Sequence, residues 1–319
     1  MEIVLVKSFT DKPWRSSSTY NLIERSLKEK WRVHSLTPKD PLSLFNYIRR
    51  LQWDHRKKLF VFNIAEYIDE KNKIGFLPQL LDELAIPHFG SSAESIETGL
   101  NKAATKELLI KNRIPTPRYF VVKDQKADIK ADIKRIGFPL IVKPVSEGGH
   151  IGIKEDSIVY DDVGLNKIII RVLEKNNQPA LVEEFITGSG MREFSVGIID
   201  GKTRLFTPIE INYKAMDVKE EILSFEAAQK DLERTILVTE EKIRNKVIDL
   251  AEKTFDIVGA KDYSRVDIRM NENDCYVLEI NIMPGLGPNS FLPQAAKDIY
   301  GFEYPQFIQK MVENSIDRQ

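Results

Sequence analysis

Two short stretches near the C-terminal end alternate polar and apolar residues in a way that suits a hard cation. Tyr263-Ser264-Arg265-Val266-Asp267-Ile268 and Tyr276-Val277-Leu278-Glu279-Ile280-Asn281 read as consecutive strands, joined through Asn271-Glu272-Asn273-Asp274 as the turn. Side chains two apart on a strand share a face, so Arg265 lies beside Asp267 and Glu279 beside Asn281. If the strands pair as a hairpin, Asp267, Glu279 and Asn281 meet as oxygen ligands. Such a set fits magnesium, which binds few fixed carboxylates and keeps waters and substrate phosphates. Arg265 beside them would meet charge developing on a phosphate or an oxyanion. A solvent-facing ion-pair ladder would use the same residues but leaves their alternation with Val266, Ile268, Leu278 and Ile280 unexplained. The following loop, Met283-Pro284-Gly285-Leu286-Gly287-Pro288-Asn289-Ser290, could offer glycine N–H groups as an oxyanion hole and Ser290 to a carboxylate.

Two further clusters are weaker alone. Phe138–Pro144 is a strand that delivers Lys143, followed by Ser146-Glu147-Gly148-Gly149-His150-Ile151-Gly152. Glycines let backbone N–H groups converge on an anion, and a lysine supplies the matching charge. No helix follows at the spacing of a Walker loop or a dinucleotide fingerprint, and a glycine hairpin beside a surface lysine has the same sequence. Ala180-Leu181-Val182-Glu183-Glu184-Phe185-Ile186 could offer backbone groups to a purine edge and a carboxylate to an amine or hydroxyl; adjacent glutamates on a solvated face look the same.

The elements that must position these residues fall into three units. Residues 1–98 alternate strands (Glu2–Val6, Arg32–Leu36, Leu59–Ile64, with a short one over Ile86–Gly90) and helices (Ser18–Lys30, Phe76–Ala85), which predicts a parallel sheet with crossover helices. Residues 99–179 predict a small α+β unit: a helix over Leu100–Asn112 ended by Ile114-Pro115-Thr116-Pro117, then strands Tyr119–Val122 and Pro139–Pro144 and helices Ala127–Ile136 and Val163–Lys175. Residues 180–319 supply strands Leu181–Ile186, Glu193–Asp200 and Thr203–Ile211, a polar irregular stretch over Asn212–Thr239 that suits a mobile loop, a helix over Glu240–Val258, the hairpin and a helical C-terminus.

Composition excludes several classes. With 47 lysines and arginines against 48 acidic residues in 319, no overall field favours nucleic acid or an anionic membrane. The single cysteine, Cys275, allows no internal disulfide. No apolar run is long enough to span a bilayer, and the N-terminus lacks a signal-peptide pattern, so the expected location is the cytoplasm.

Taken in order, FPLIVKPVSEGGHIGI, LVEEFI, REFSVGIID, SRVDIRM and YVLEINIMPGLGPNS, with GSSAESIETGLNKAATKELL and PTPRYFVV before them, resemble the signatures of the ATP-grasp ligases, most closely the D-alanine–D-alanine ligase branch. The resemblance runs from about Phe60 to Met311. It implies an α/β and α+β architecture: an N-terminal Rossmann-like domain and two α+β subdomains clamping ATP. It implies an ADP-forming ligase that joins a small-molecule carboxylate to an amine through an acyl phosphate, and a homodimer with the N-terminal unit at the interface. By position, Lys102 and Lys143 match the lysines on the ATP phosphates, and the turn Glu147, Gly148, Gly149, His150 and Ile151 the loop that closes over them. Glu183 and the backbone of Glu184, Phe185 and Ile186 match the adenine contact, and Glu193 the ribose contact. Asp267, Glu279 and Asn281 match the ligands of two magnesium ions, a role manganese also fills. Arg265 and the Gly285 backbone match the groups on the tetrahedral intermediate, and Ser290 a contact to the acceptor's carboxylate.

The chain departs from the family where the first substrate binds. The glycine-glycine and serine-x-glutamate stretch that captures the donor ammonium is replaced by Ser8-Phe9-Thr10-Asp11-Lys12-Pro13-Trp14-Arg15, and a histidine-glycine by Glu66-Tyr67. The tyrosine/lysine pair of the mobile loop is not recognisable; Lys230 supplies that charge only with a register shift. ATP chemistry with altered donor specificity, joining amino acids or amino-acid-like substrates, is the expectation. A true D-alanine–D-alanine ligase and a non-catalytic ATP-binding or regulatory protein are the alternatives.

Overall fold

The computed structural model describes residues 1–55, 58–146, 152–216, 222–223, 234–272 and 274–318. The turn residues Glu147 to Ile151 and Lys230 lie outside them.

The N-terminal sheet forms from β1 (Glu2–Val6), α1 (Ser17–Lys28), β2 (Arg32–Leu36), α2 (Pro41–His55) and β3 (Leu59–Phe62). Strand order is β2-β1-β3, all parallel, with the helices as crossovers. The central strand is buried along its whole length, which is why it reads as a continuous apolar run. A hairpin of β4 (Tyr67–Asp69) and β5 (Ile74–Phe76) leads to α3 (Leu77–Glu83) and α4 (Ala93–Leu100). Ile86–Gly90 is not a full strand: only His88 bridges Val61, through Val61 N–H to Pro87 O at 2.9 Å and Phe89 N–H to Val61 O at 2.8 Å.

The second sheet follows α5 (Lys102–Lys111). It comprises β6 (Tyr119–Val122), β7 (Leu140–Pro144), β8 (Ile158–Val159) and β9 (Ala180–Glu184) in the antiparallel order β6-β9-β7-β8, backed by α6 (Lys130–Ile136) and α7 (Asp162–Lys175). The helix expected over Leu100–Asn112 is α5, starting two residues later, and a separate helix, α4, ends at Leu100. Asn101 sits between them in an extended conformation (φ −89°, ψ 97°), and its side chain accepts from the Ala104 N–H at 3.1 Å. Asn101→Ala removes this N-cap and is expected to cost about 1 kcal/mol in denaturant unfolding. An unchanged stability would show that water replaces the cap.

The third sheet is antiparallel: β10 (Arg192–Ile199), β11 (Leu205–Ile211), β12 (Thr235–Leu237), then α8 (Glu241–Val258), β13 (Tyr263–Asn271) and β14 (Asp274–Asn281), in the order β12-β11-β10-β13-β14. One face, with Phe194, Val196, Val266, Ile268, Val277 and Ile280, packs on Val247, Leu250 and Phe255 of α8. Gly259 ends that helix in the left-handed region at φ 71°, where a side chain would be strained. After the hairpin come α9 (Phe291–Tyr300) and α10 (Tyr304–Arg318). The last helix returns to the N-terminal sheet, setting Phe307, Ile308, Met311 and Val312 among Tyr20, Ile23 and Leu27 of α1. Among the described residues no helix is long and apolar enough to cross a membrane.

Candidate active site

The polar face of the third sheet carries the candidate site. β13 pairs with β14 so that Asp267 stands opposite Glu279 and Arg265 opposite Asn281, and with β10 so that Asp267 stands opposite Ser195 and Arg269 opposite Glu193. Directly opposed residues point to the same side of a sheet. Seven polar side chains therefore share one face. The register slips between Asp267 and Ile268, where Val277 rather than Leu278 pairs. This bulge takes Leu278 out of the core alternation that the sequence suggests, and returns Glu279 and Asn281 to the cleft side.

Within the hairpin, Arg265 donates from Nε and Nη2 to the two oxygens of Asp267 at 2.9 and 2.8 Å, and Ser195 Oγ donates to Asp267 Oδ1 at 2.6 Å. Asn281 directs its amide nitrogen to Asp267 Oδ2 at 2.9 Å and to Glu279 Oε1 at 3.3 Å. Asn281 thus contacts both of the other candidate metal ligands, which stand opposite each other across the ladder. Two carboxylates and an amide, with Lys102 Nζ on Glu279 Oε2 at 2.9 Å, form a donor set already facing a cation. They fit magnesium once the planar amide flips to present its oxygen. Among the described residues no three His, Cys, Asp or Glu side chains converge, so the amide completes the set.

Opposite, the second sheet supplies Lys143 and Glu183, neighbours across β7 and β9 where Ile141 pairs with Glu183. Lys143 Nζ lies 2.6 Å from Glu183 Oε2, and Lys106 Nζ lies 2.5 Å from Oε1. Burial alone would push Lys143 down, but Glu183 and Glu279 outweigh it and hold its pKa above the usual lysine value. Burial disfavours the Glu183 carboxylate too, yet the two ammoniums keep it below its ordinary range. Glu184 turns the other way, to Arg118 at 2.9 Å from both Nε and Nη2. Its N–H donates to Arg118 O and that of Phe185 to Pro139 O, so neither remains for a purine edge. Phe185 is buried with Ile141, Ile158 and Ile222, the last from the stretch expected to be a mobile loop. Ile186 is 4% exposed.

Glu193 lies on β10 at the rim of the same face, 3.6 Å from Arg269 Nη1. Burial raises its pKa, partly offset by Arg269 and a hydrogen bond from Tyr213. The Arg269 guanidinium stacks over Phe185 at 4.3 Å, joining the third sheet to the end of β9.

The Gly285 loop closes the other end. A Cβ on Gly285 would come within 2.9 Å of Trp14 Cβ and 3.0 Å of Ser290 Oγ. Ser290 is the N-cap residue of α9, but its side chain makes no cap hydrogen bond. Its hydroxyl stands at a helix N-terminus, which favours a carboxylate. Gly285→Ala is expected to cost about 1–3 kcal/mol of stability through this overpacking. Unchanged unfolding would show that Trp14 yields.

Trp14 is thus placed against the loop, as Arg15 is against the β4–β5 hairpin: Arg15, 5% exposed, donates to both oxygens of Glu70 at 2.9 and 2.7 Å. Burial raises the nearby Glu66 carboxyl, an effect Glu70 adds to and Arg15 opposes. Sequence reasoning missed Lys106, Ser195 and Arg269. Lys106 had a signal, its spacing of four from Lys102; Ser195 and Arg269 become visible only through the pairing register.

The chain is similar to known proteins in sequence and in fold. Residues 108–313 match the family model described as the D-ala D-ala ligase C-terminus. The D-alanine–D-alanine ligase of Methylacidiphilum infernorum is 33% identical over 249 residues, 76% of this chain and 74% of that protein. D-alanine–D-alanine ligase B of Clostridium perfringens is 27% identical over 305 residues, 95% of this chain and 92% of that one. The crystal structure of a D-alanine–D-alanine ligase from Bacillus anthracis complexed with ATP superposes with a TM-score of 0.78, covering 99% of this chain and 97% of that one at 22% identity, a likeness of fold. By the matched family model, the identity to these relatives and the fold, the chain belongs to the D-alanine–D-alanine ligase family of ATP-grasp, ADP-forming carbon–nitrogen ligases.

Proposed function

We propose that the chain joins two amino acids, or an amino-acid-like donor and acceptor, through an acyl phosphate. The observation that carries this reading is the single polar face on which Arg265, Asp267, Glu279 and Asn281 touch, with Lys102 reaching it. A protein that only bound a nucleotide would need fewer of them. Asp267, Glu279 and Asn281 would hold two magnesium or manganese ions, which supply charge neutralisation at the phosphates when bound. Lys102 and Lys143 hold the phosphate oxygens while the donor carboxylate attacks the γ-phosphorus and ADP leaves. The acceptor amine then adds to the acyl carbon. Arg265, with the Gly285 N–H, steadies the oxyanion until phosphate departs. Glu183 and Ile186 would meet the adenine, Glu193 the ribose, and Ser290 the acceptor carboxylate. The turn 147–151 would cover the phosphates and exclude water.

The relatives are named for joining two D-alanines, and that pair belongs in any substrate panel. A different donor is favoured by the locked Arg15–Glu70 pair and by Trp14 against Gly285, which stand where the family's ammonium-capturing residues are missing. We further place the protein in the cytoplasm, as a homodimer through residues 1–98.

The test is incubation with ATP, magnesium and amino acids singly and in pairs, reading ADP release and product mass. A product equal to the sum of two substrates minus water names them. ATP bound tightly with no ADP release across the panel, D-alanine included, would favour a binding protein.

A further inference from the structure

Lys106 is the one fully buried lysine of the cradle, and the proposed chemistry gives it no task. Its side chain is 0% exposed. The ammonium lies 2.5 Å from Glu183 Oε1, donates to Thr116 Oγ1 at 2.7 Å, and faces the Tyr119 ring at 5.7 Å. Thr116 in turn donates to the Val277 carbonyl of β14 at 2.8 Å, and Val277 N–H donates to Pro115 O at 2.8 Å. Lys106 therefore links β9 of the second sheet to β14 of the third. Lys102 lies four residues earlier on the same face of α5 and reaches Glu279 on β14.

The charges explain what the link does. Lys106 and Lys143 share one carboxylate. Burial pushes the Lys106 ammonium down and Glu183 draws it back up, and with both lysines charged the three groups together carry one positive charge. Without Lys106, Glu183 would neutralise Lys143 alone, and the phosphates would lose one unit of attraction where the dielectric is low. The Lys106 ammonium is taken up by Glu183 and Thr116, so its charge acts on a nucleotide through Lys143. We propose that Lys106 is a positioning residue for the nucleotide: by sharing Glu183 with Lys143, it leaves Lys143 charge to spare for the phosphates and fixes the spacing of the two sheets around them. This inference rests on the nucleotide reading of the cleft.

The experiment measures ADP–magnesium affinity by calorimetry, with KM for ATP and for the donor, in the wild type, Lys106→Met, Glu183→Gln and the double variant. Lys106→Met is expected to weaken ADP binding and raise the KM for ATP in parallel, about tenfold or more, leaving the donor KM unchanged. The double variant, which leaves no lone buried carboxylate, is expected to fold and to bind ADP better than Lys106→Met. A Lys106→Met protein that binds ADP like the wild type and loses only thermal stability would overturn the inference. So would strict additivity of the two substitutions in the double variant. A wild type that fails to bind ADP would instead remove the nucleotide reading beneath it.

Discussion

Glu279→Gln is expected to reduce ligation about a thousandfold or more while the protein stays folded. The substitution keeps shape and removes one negative charge from a face where Asn281 and Lys102 both contact that carboxylate. A metal-binding carboxylate supplies several kcal/mol of charge stabilisation, and each 1.36 kcal/mol is a factor of ten in rate. Loss of metal affinity should accompany loss of rate, read as a raised magnesium requirement for ATP binding. Turnover within tenfold of wild type would take Glu279 out of the site and leave the hairpin an ion-pair ladder.

Arg265→Met should have the second largest effect, a fall of about 10²–10³ in kcat with little change in the KM for ATP. The side chain is gripped by both oxygens of Asp267 and lies over the Phe291 ring at 5.3 Å, which fixes the guanidinium plane before substrate arrives. Such pre-set donors act on charge that develops only in the transition state, hence the effect on kcat. Arg265→Lys should restore little, because an ammonium cannot hold the two-point contact and aim a further N–H at the same time. A rise in the KM for ATP with kcat unchanged would mean that Arg265 serves binding alone.

Much of this site is legible in the amino acids because a strand has period two. Arg265 with Asp267, and Glu279 with Asn281, declare a common face before any pairing is known. The register that joins the two pairs is not declared: the bulge at Leu278 depends on how β13 and β14 meet, and the contact of Ser195 with Asp267 depends on β10 lying between β11 and β13. The helix over Pro41–His55 carries Leu44, Ile48 and Leu51 at helical spacing, a stripe that faces the core under the N-terminal sheet. The start of the helix expected at Leu100 falls at Lys102 because Asn101 caps it and parts it from α4, a shift that a run of good helix formers conceals. The donor side is the least legible. Residues 8–16 show no periodicity, and Trp14 and Arg15 acquire meaning only from the Gly285 loop and Glu70, which are distant in sequence.

The acyl phosphate is the central chemical claim, and an isotope label reports on it directly. Donor amino acids carrying ¹⁸O in the carboxylate would be incubated with acceptor, ATP and magnesium, and the released phosphate weighed. Attack of the carboxylate on the γ-phosphorus predicts one ¹⁸O in each phosphate and none in ADP. Unlabelled phosphate alongside a ligated product would contradict the account, because the carboxylate oxygen would then have left by another route.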